Sequence, residues 1–303
     1  MTLKRIVAVV LAGGVKKFSF REFYHQLEDL LSYGEWYFRR GYKSLKRIRL
    51  KSYGADEPRP MVEYILITLS TIECIDKILV IGPAKEIREK IEPDLISEES
   101  KIELVQQKHS YGYNVKEGYD LAGEKYVLFV TADSPTTKAE DVSEFIEICR
   151  ELYNEYDLIY PLVKESLLKK YYKLFPRPFF RMIPDTIYPT GYIDTEDVRE
   201  DGRVGFRNTS MAFANLEGFP VERIDEAYNL RKFFRKSSRD KLKEIFGKNL
   251  IRRYRQGLKM SEIEQMFFNY EGLRLKIVGL RGAGASLDID STRDEKKFQN
   301  LYL

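Results

Sequence analysis

The stretch from Val7 to Gly14, VAVVLAGG, constrains this chain more than any other. Five apolar residues, four of them β-branched or leucine, run directly into Ala-Gly-Gly a few residues from the start of the sequence. That is the pattern of a strand buried on both faces that ends in a tight loop. Glycines at such an end let the backbone come close to a ligand and offer several N–H groups to one anion. An open α/β sheet collects its ligands at the carboxyl ends of its strands, so the LAGG loop is either a plain turn or a phosphate cradle.

The residues that follow favour an α/β chain. Apolar strand-like runs at 77–81 (KILVI), 101–105, 125–130 (KYVLFV) and 158–163 alternate with helical patterns, among them 61–69, 111–121 and 141–152. Strand-helix alternation predicts crossover units and a mostly parallel three-layer αβα sheet of Rossmann type. Pro60 is expected in the first turn of the helix whose face is Met61, Tyr64, Ile65 and Leu69. Residues 164–270 break the alternation with Pro- and Tyr-rich segments, a strand at 209–214 and helices from 223 to 269. A strand at 273–280 is expected at an edge or in a hairpin, and Leu287-Asp288-Ile289-Asp290 is expected to end another strand before a terminal helix. The chain is read as one domain, 1–303, with a core of 1–163 and 271–303 and a helical insertion at 164–270.

Composition narrows the setting. The net charge is only +4, which implies no polyelectrolyte partner. Cys74 and Cys149 lie in apolar helix-like patterns and read as buried thiols of a reducing compartment. No apolar run approaches the ~18 residues of a membrane span, and no leader pattern precedes the first strand, so a cytoplasmic protein is expected. His25 and His109 are isolated and read as neither ligands nor catalysts. Between Arg231 and Arg255 eleven lysines and arginines face two acidic residues. That segment is either an ordinary solvated face or a contact for an anionic acceptor, including lipid phosphate at a membrane surface; nucleic acid is not expected.

Four stretches fall into one order. The Leu11-Ala12-Gly13-Gly14 loop, Lys43-Ser44-Leu45 running to Arg59-Pro60-Met61, Asp133-Ser134-Pro135 and Asp288-Ile289-Asp290 together resemble the GT-A-like nucleotidyltransferase superfamily. That superfamily includes molybdenum-cofactor guanylyltransferase and the sugar-1-phosphate nucleotidyltransferases. The resemblance implies that Leu11, Ala12, Gly13 and Gly14 bind the phosphates of an NTP and that Lys43 supports them. It implies that Asp133 and Asp290 hold Mg2+ or Mn2+, and that Gln106, Gly112 and Asn114 contact base and ribose. Asn208 falls where the acceptor is held. Here Val15-Lys16-Lys17 stands where the superfamily carries a small residue and an arginine, so Lys16 or Lys17 is expected to take the missing arginine's part. About 25 additional residues then precede Lys43.

The implied catalytic set is Lys43, Asp133 and Asp290, acting in transfer of an NMP from an NTP to an anionic small-molecule acceptor, with release of pyrophosphate. Asp133 is otherwise a helix N-cap, and Asp290 or Ser291 caps the terminal helix. A GT-A-type glycosyltransferase is the enzymatic rival, because Asp288-Ile289-Asp290 mimics a DxD motif, although at the wrong end of the chain. A non-catalytic nucleotide-binding protein of the same fold is the other. GGVKKF is not the GxGxxG of a dinucleotide enzyme.

Overall fold

The computed structural model describes residues 5–13, 42–50, 57–172, 179–230, 250–289, 294, 297 and 298. Gly14, Lys16, Lys17, Asp290, residues 231–249 and most of the expected terminal helix lie outside the described residues.

Strand β1 (Ile6–Leu11) is a central strand, as its apolar run requires. Its side chains alternate between two cores. Ala8 and Val10 enter one together with helices α1 (Met61–Ser70) and α4 (Ala139–Leu152), while Val7 and Val9 enter the other with α3 (Tyr111–Ala122). β1 pairs in parallel with β4 (Ile75–Gly82) and β6 (Val127–Thr131), and β5 (Ile102–Gln106) adds to β4. The short α2 (Ala84–Arg88) follows β4.

Beyond β6 the sheet is mixed. β10 (Met211–Ala214) runs antiparallel between β6 and β7 (Leu158–Lys164), and β11 (Leu275–Leu280) pairs in parallel with β7. β9 (Val204–Asn208) continues almost into β10 along β7, and β8 (Phe180–Met182) closes a hairpin on it. Phe206 pairs with Lys164, the last residue of β7, so this hairpin extends past the carboxyl edge of the sheet. α5 (Glu165–Tyr172) adds Leu168 and Tyr171 to the α1 core, α6 (Val221–Leu230) is tied to α3, α7 (Leu250–Gly257) to β8 and α8 (Met260–Glu271) to β11. No described helix is long and apolar enough to cross a membrane.

The mostly parallel three-layer α/β sheet agrees with the alternation read from the sequence. The strand expected at 209–214 is β10, and it lies in the middle of the sheet, because its small and apolar MAFA run fits a slot between β6 and β7. β11 is an edge strand, one of the two places expected for it, pairing among the named strands only with β7, yet it is covered. All six of its residues are buried, since the Tyr188 segment covers its outer edge and Gly279 N–H donates to Tyr188 O at 2.7 Å. Pro60 stands just before α1 rather than within its first turn, paired with Arg47 across a two-residue ribbon of β2 (Arg47–Ile48) and β3 (Arg59–Pro60). Cys149 is buried, as expected, whereas Cys74 is half-buried.

Candidate active site

Three segments meet where β1 ends. Ala12 N–H donates to Ile81 O at 2.9 Å and Ala132 N–H to Leu11 O at 3.2 Å, so the loops after β1, β4 and β6 begin side by side. The 3-10 turn Lys43–Leu45 joins them from below α1. Its sequence accounts for its placement. Leu45, Ile48 and Leu50 are buried, each worth about 1.5–3 kcal/mol, and the Tyr64 hydroxyl binds Ile48 O and Leu50 N–H. The buried Ser44 hydroxyl then donates to Ala12 O at 2.6 Å, which fastens the turn to the LAGG loop.

With Ser44 and Leu45 turned inward, the Lys43 ammonium reaches Asp133 Oδ2 at 2.9 Å. Thr131 Oγ1 donates to Asp133 Oδ1 at 2.5 Å, so both carboxylate oxygens are oriented. The pair is half-buried, with 28% of the lysine side chain and 33% of the aspartate side chain exposed. It is desolvated enough to matter electrostatically and still reachable by a ligand. Asp133 is no helix cap, because α4 begins only at Ala139. Its loop is held by Thr137 Oγ1 on Ser134 O, Thr136 Oγ1 on Gly284 O and Thr68 Oγ1 on Thr137 O.

The late acidic segment arrives by a different route from the one expected. Residues 287–289 are not the strand end expected of them; they follow a 3-10 turn at Gly284–Ser286. The segment nevertheless reaches the site, since Ile289 is buried and its N–H donates to Asp133 O at 2.9 Å. Asp288 is half-buried, and Asp290, the next residue after Ile289, lies outside the described residues. The donor set offers carboxylate and hydroxyl oxygen, which suits a hard divalent cation. Among the described residues no group of three or more His, Cys, Asp or Glu side chains could hold a metal ion, and magnesium needs only one or two carboxylates beside substrate phosphate.

The other expected residues separate. Gln106, at the end of β5, turns away and accepts the Ala84 N–H at 3.2 Å, opening α2. Successive strand residues face opposite ways, so it is Gln107 that lies by the loop: a Cβ built on Gly13 would sit 2.7 Å from Gln107 Oε1 and 3.4 Å from Asn114 Nδ2. Reading the strand one residue further would have found it. Asn114 is therefore beside the loop as expected, its oxygen accepting Lys108 N–H at 2.6 Å. Gly112 serves helix packing. Its N–H donates to Asp225 Oδ1 at 2.6 Å, Ser110 Oγ donates to Asp225 Oδ2 at 2.5 Å, and a Cβ there would meet Val221 O at 2.6 Å. Asp225 on α6, which the sequence did not single out, thus caps α3.

Asn208 is exposed at the end of β9, two residues before Ser210, whose carbonyl accepts the Thr131 N–H at 2.8 Å. Arg59 is committed to the buried Glu63 at 2.8 Å. Of the basic stretch, Arg252 and Arg253 are exposed on α7, and Arg253 pairs with Glu262.

No family model matches the sequence, and no curated protein does. Solved structures are similar in fold. A hypothetical transferase from Thermus thermophilus superposes with a TM-score of 0.64 at 17% identity, covering 96% of this chain and 99% of its own. A CMP:2-keto-3-deoxy-manno-octonic acid synthetase complexed with CTP gives a TM-score of 0.53 at 9% identity, with 97% of each chain covered. The chain therefore shares the α/β fold of these two proteins.

Proposed function

We propose that this protein is a nucleotidyltransferase that moves an NMP from an NTP to an anionic, phosphate-bearing acceptor. The observation that carries the reading is the meeting of the LAGG loop, Lys43 and Asp133 at one sheet edge, fastened by the Ser44–Ala12 and Lys43–Asp133 contacts. An acceptor phosphate oxygen attacks the α-phosphorus in line, the bond from that phosphorus to the bridging oxygen breaks, and pyrophosphate leaves with the electron pair. Such a reaction asks the protein for position and charge rather than covalent chemistry. The backbone at Gly13 approaches the phosphates, the Lys43 ammonium offsets charge on them, and Gln107 and Asn114 stand at the base end of the loop. A phosphate acceptor is already ionised, so no general base is required of the chain.

Asp133, with Asp288 or Asp290 as the second carboxylate, would hold Mg2+ or Mn2+; that ion, when bound, would neutralise the phosphates undergoing transfer. We assign the exposed Asn208 and strands β8 and β9, which extend past the carboxyl edge, to the acceptor side. The purified protein, given four NTPs against a panel of phosphorylated small molecules with Mg2+, is expected to release pyrophosphate with one acceptor class. Turnover of a nucleotide sugar with release of the nucleoside diphosphate would favour a glycosyltransferase instead, and binding without turnover a non-catalytic protein.

A further inference from the structure

The contact that defines the site also sets a condition on it. Lys43 Nζ meets Asp133 Oδ2 at 2.9 Å while Thr131 Oγ1 holds Oδ1 at 2.5 Å, so each oxygen of this carboxylate has a protein donor. A lysine ammonium and a divalent cation are alternative neighbours of one carboxylate oxygen. Both are positive, and in a half-desolvated site they repel strongly at such range. The turn that carries Lys43 is fixed through Ser44 and the buried Leu45, so its backbone stays in place. The four-carbon stem can re-aim the ammonium, and the neighbouring Ser44 is bonded to Ala12 of the glycine loop.

We infer that Lys43 holds the cation's place on Asp133, so that a divalent ion binds tightly only together with a nucleotide. This rests on the nucleotidyltransferase reading above. The phosphates supply what the displaced ammonium lacks, a new anionic partner beside the glycine loop. The empty enzyme is thereby kept from holding a bare cation, and Lys43 and Asp133 part only when the substrate is present. By linkage, whatever factor the nucleotide adds to cation affinity the cation adds to nucleotide affinity. Direct chelation of the ion by phosphate produces such synergy too, so the lysine's share must be read from the protein without nucleotide.

The test is a titration of the full chain with Mn2+, following the paramagnetic resonance signal of the free ion, with and without an NTP analogue carrying a methylene between the α and β phosphates. Without nucleotide, Lys43→Met is expected to bind Mn2+ about tenfold or more tightly than the wild type, because a repelling charge is gone. Lys43→Arg, which keeps the charge, is expected to stay as weak as the wild type, and Asp133→Asn to lose the ion without nucleotide and, with it, to fall to what the analogue's phosphates chelate alone. If Lys43→Met does not fold by circular dichroism, Lys43→Gln is read in its place. Unchanged or weaker Mn2+ binding by the uncharged variant, with Asp133→Asn still losing the ion, would overturn the placeholder while sparing the cation site. Equal Mn2+ binding by wild type and Asp133→Asn in the presence of nucleotide would remove the cation reading itself, and the placeholder with it.

Discussion

Lys43 and Asp133 stand 90 residues apart in sequence and 2.9 Å apart in the fold, and neither reaches the other by local structure. What joins them is Ser44. Its hydroxyl ties the turn to Ala12, the first residue after β1, and β1 is the parallel neighbour of the strand that ends in Thr131. Ser44→Ala is therefore expected to leave a buried carbonyl short of a donor, costing about 1–3 kcal/mol, and to loosen the Lys43 ammonium. Chemical denaturation should show the loss, and turnover should fall further than that loss alone explains once the variant is assayed well below its unfolding temperature.

Gln107 rather than Gln106 faces the loop, and this separates two variants that the sequence makes look equivalent. Gln107→Ala is expected to raise the Michaelis constant for the NTP several-fold, since a side chain beside Gly13 is lost. Gln106→Ala removes only an exposed hydrogen bond to Ala84 N–H and is expected to cost stability of about 0.5–1.5 kcal/mol with little effect on NTP binding. Steady-state kinetics with varied NTP compare the two directly.

Gly112 and Asp225 fasten α6 to the start of α3. A Cβ at residue 112 would fall 2.6 Å from a backbone carbonyl, which cannot give way as a side-chain tip does. Gly112→Ala is expected to destabilise by about 1–3 kcal/mol through overpacking. Asp225→Asn keeps an acceptor but loses the charge at the helix N-terminus, and about 0.5–1 kcal/mol is expected from that. Measured denaturation midpoints that leave Gly112→Ala at wild-type stability would show that the two helices do not pack this closely.

Asp141 gives the stability a pH dependence. It is buried on α4 beneath Gly282 and Gly284, and loss of water pushes its carboxyl from 3.8 up to about 6, against the lowering effect of the Lys138 N–H. A raised carboxyl value means that the folded protein favours the protonated form. Its contribution is full below about pH 4 and is lost as the pH rises through about 6, leaving a cost of up to ~3 kcal/mol at neutral pH. Asp141→Asn keeps the acceptor for Lys138 N–H and is expected to be more stable than the wild type at pH 7–8, by about 1–3 kcal/mol, with the gain shrinking toward pH 4. Urea midpoints recorded between pH 5 and 8 check the sign.

Much of this was legible in residue order, and the failures have physical causes. Strands buried on both faces, such as IVAVVL and VLFVT, announce themselves by apolar runs, and Ser110 and Gly123 bracket α3 as a cap and a left-handed stop. Asp133 was legible because an apolar strand ends just before it. Lys43 needed the long-range Ser44 contact to be distinguished from a solvated lysine. Asp225 carried no signal, since a carboxylate that caps a helix 113 residues away leaves no local pattern. The late acidic segment misled for a similar reason: Leu287, Asp288 and Ile289 alternate as a strand would, yet Ile289 is buried by binding Asp133 O rather than by a sheet.

Asp133 bears the weight of the account, so the most direct measurement is pyrophosphate release by the wild type and by Asp133→Asn, each with its NTP, acceptor and Mg2+, at matched folded content. Loss of the carboxylate removes the Lys43 partner and the oxygen offered to the cation while leaving the strand, the loop hydrogen bonds and an isosteric side chain in place. The wild type is expected to release pyrophosphate only when acceptor and divalent cation are both present, and Asp133→Asn to be slower by at least about a hundredfold, as for loss of one electrostatic transition-state contact. Release by Asp133→Asn at the wild-type rate would contradict the assignment of this edge of the sheet as the reacting centre.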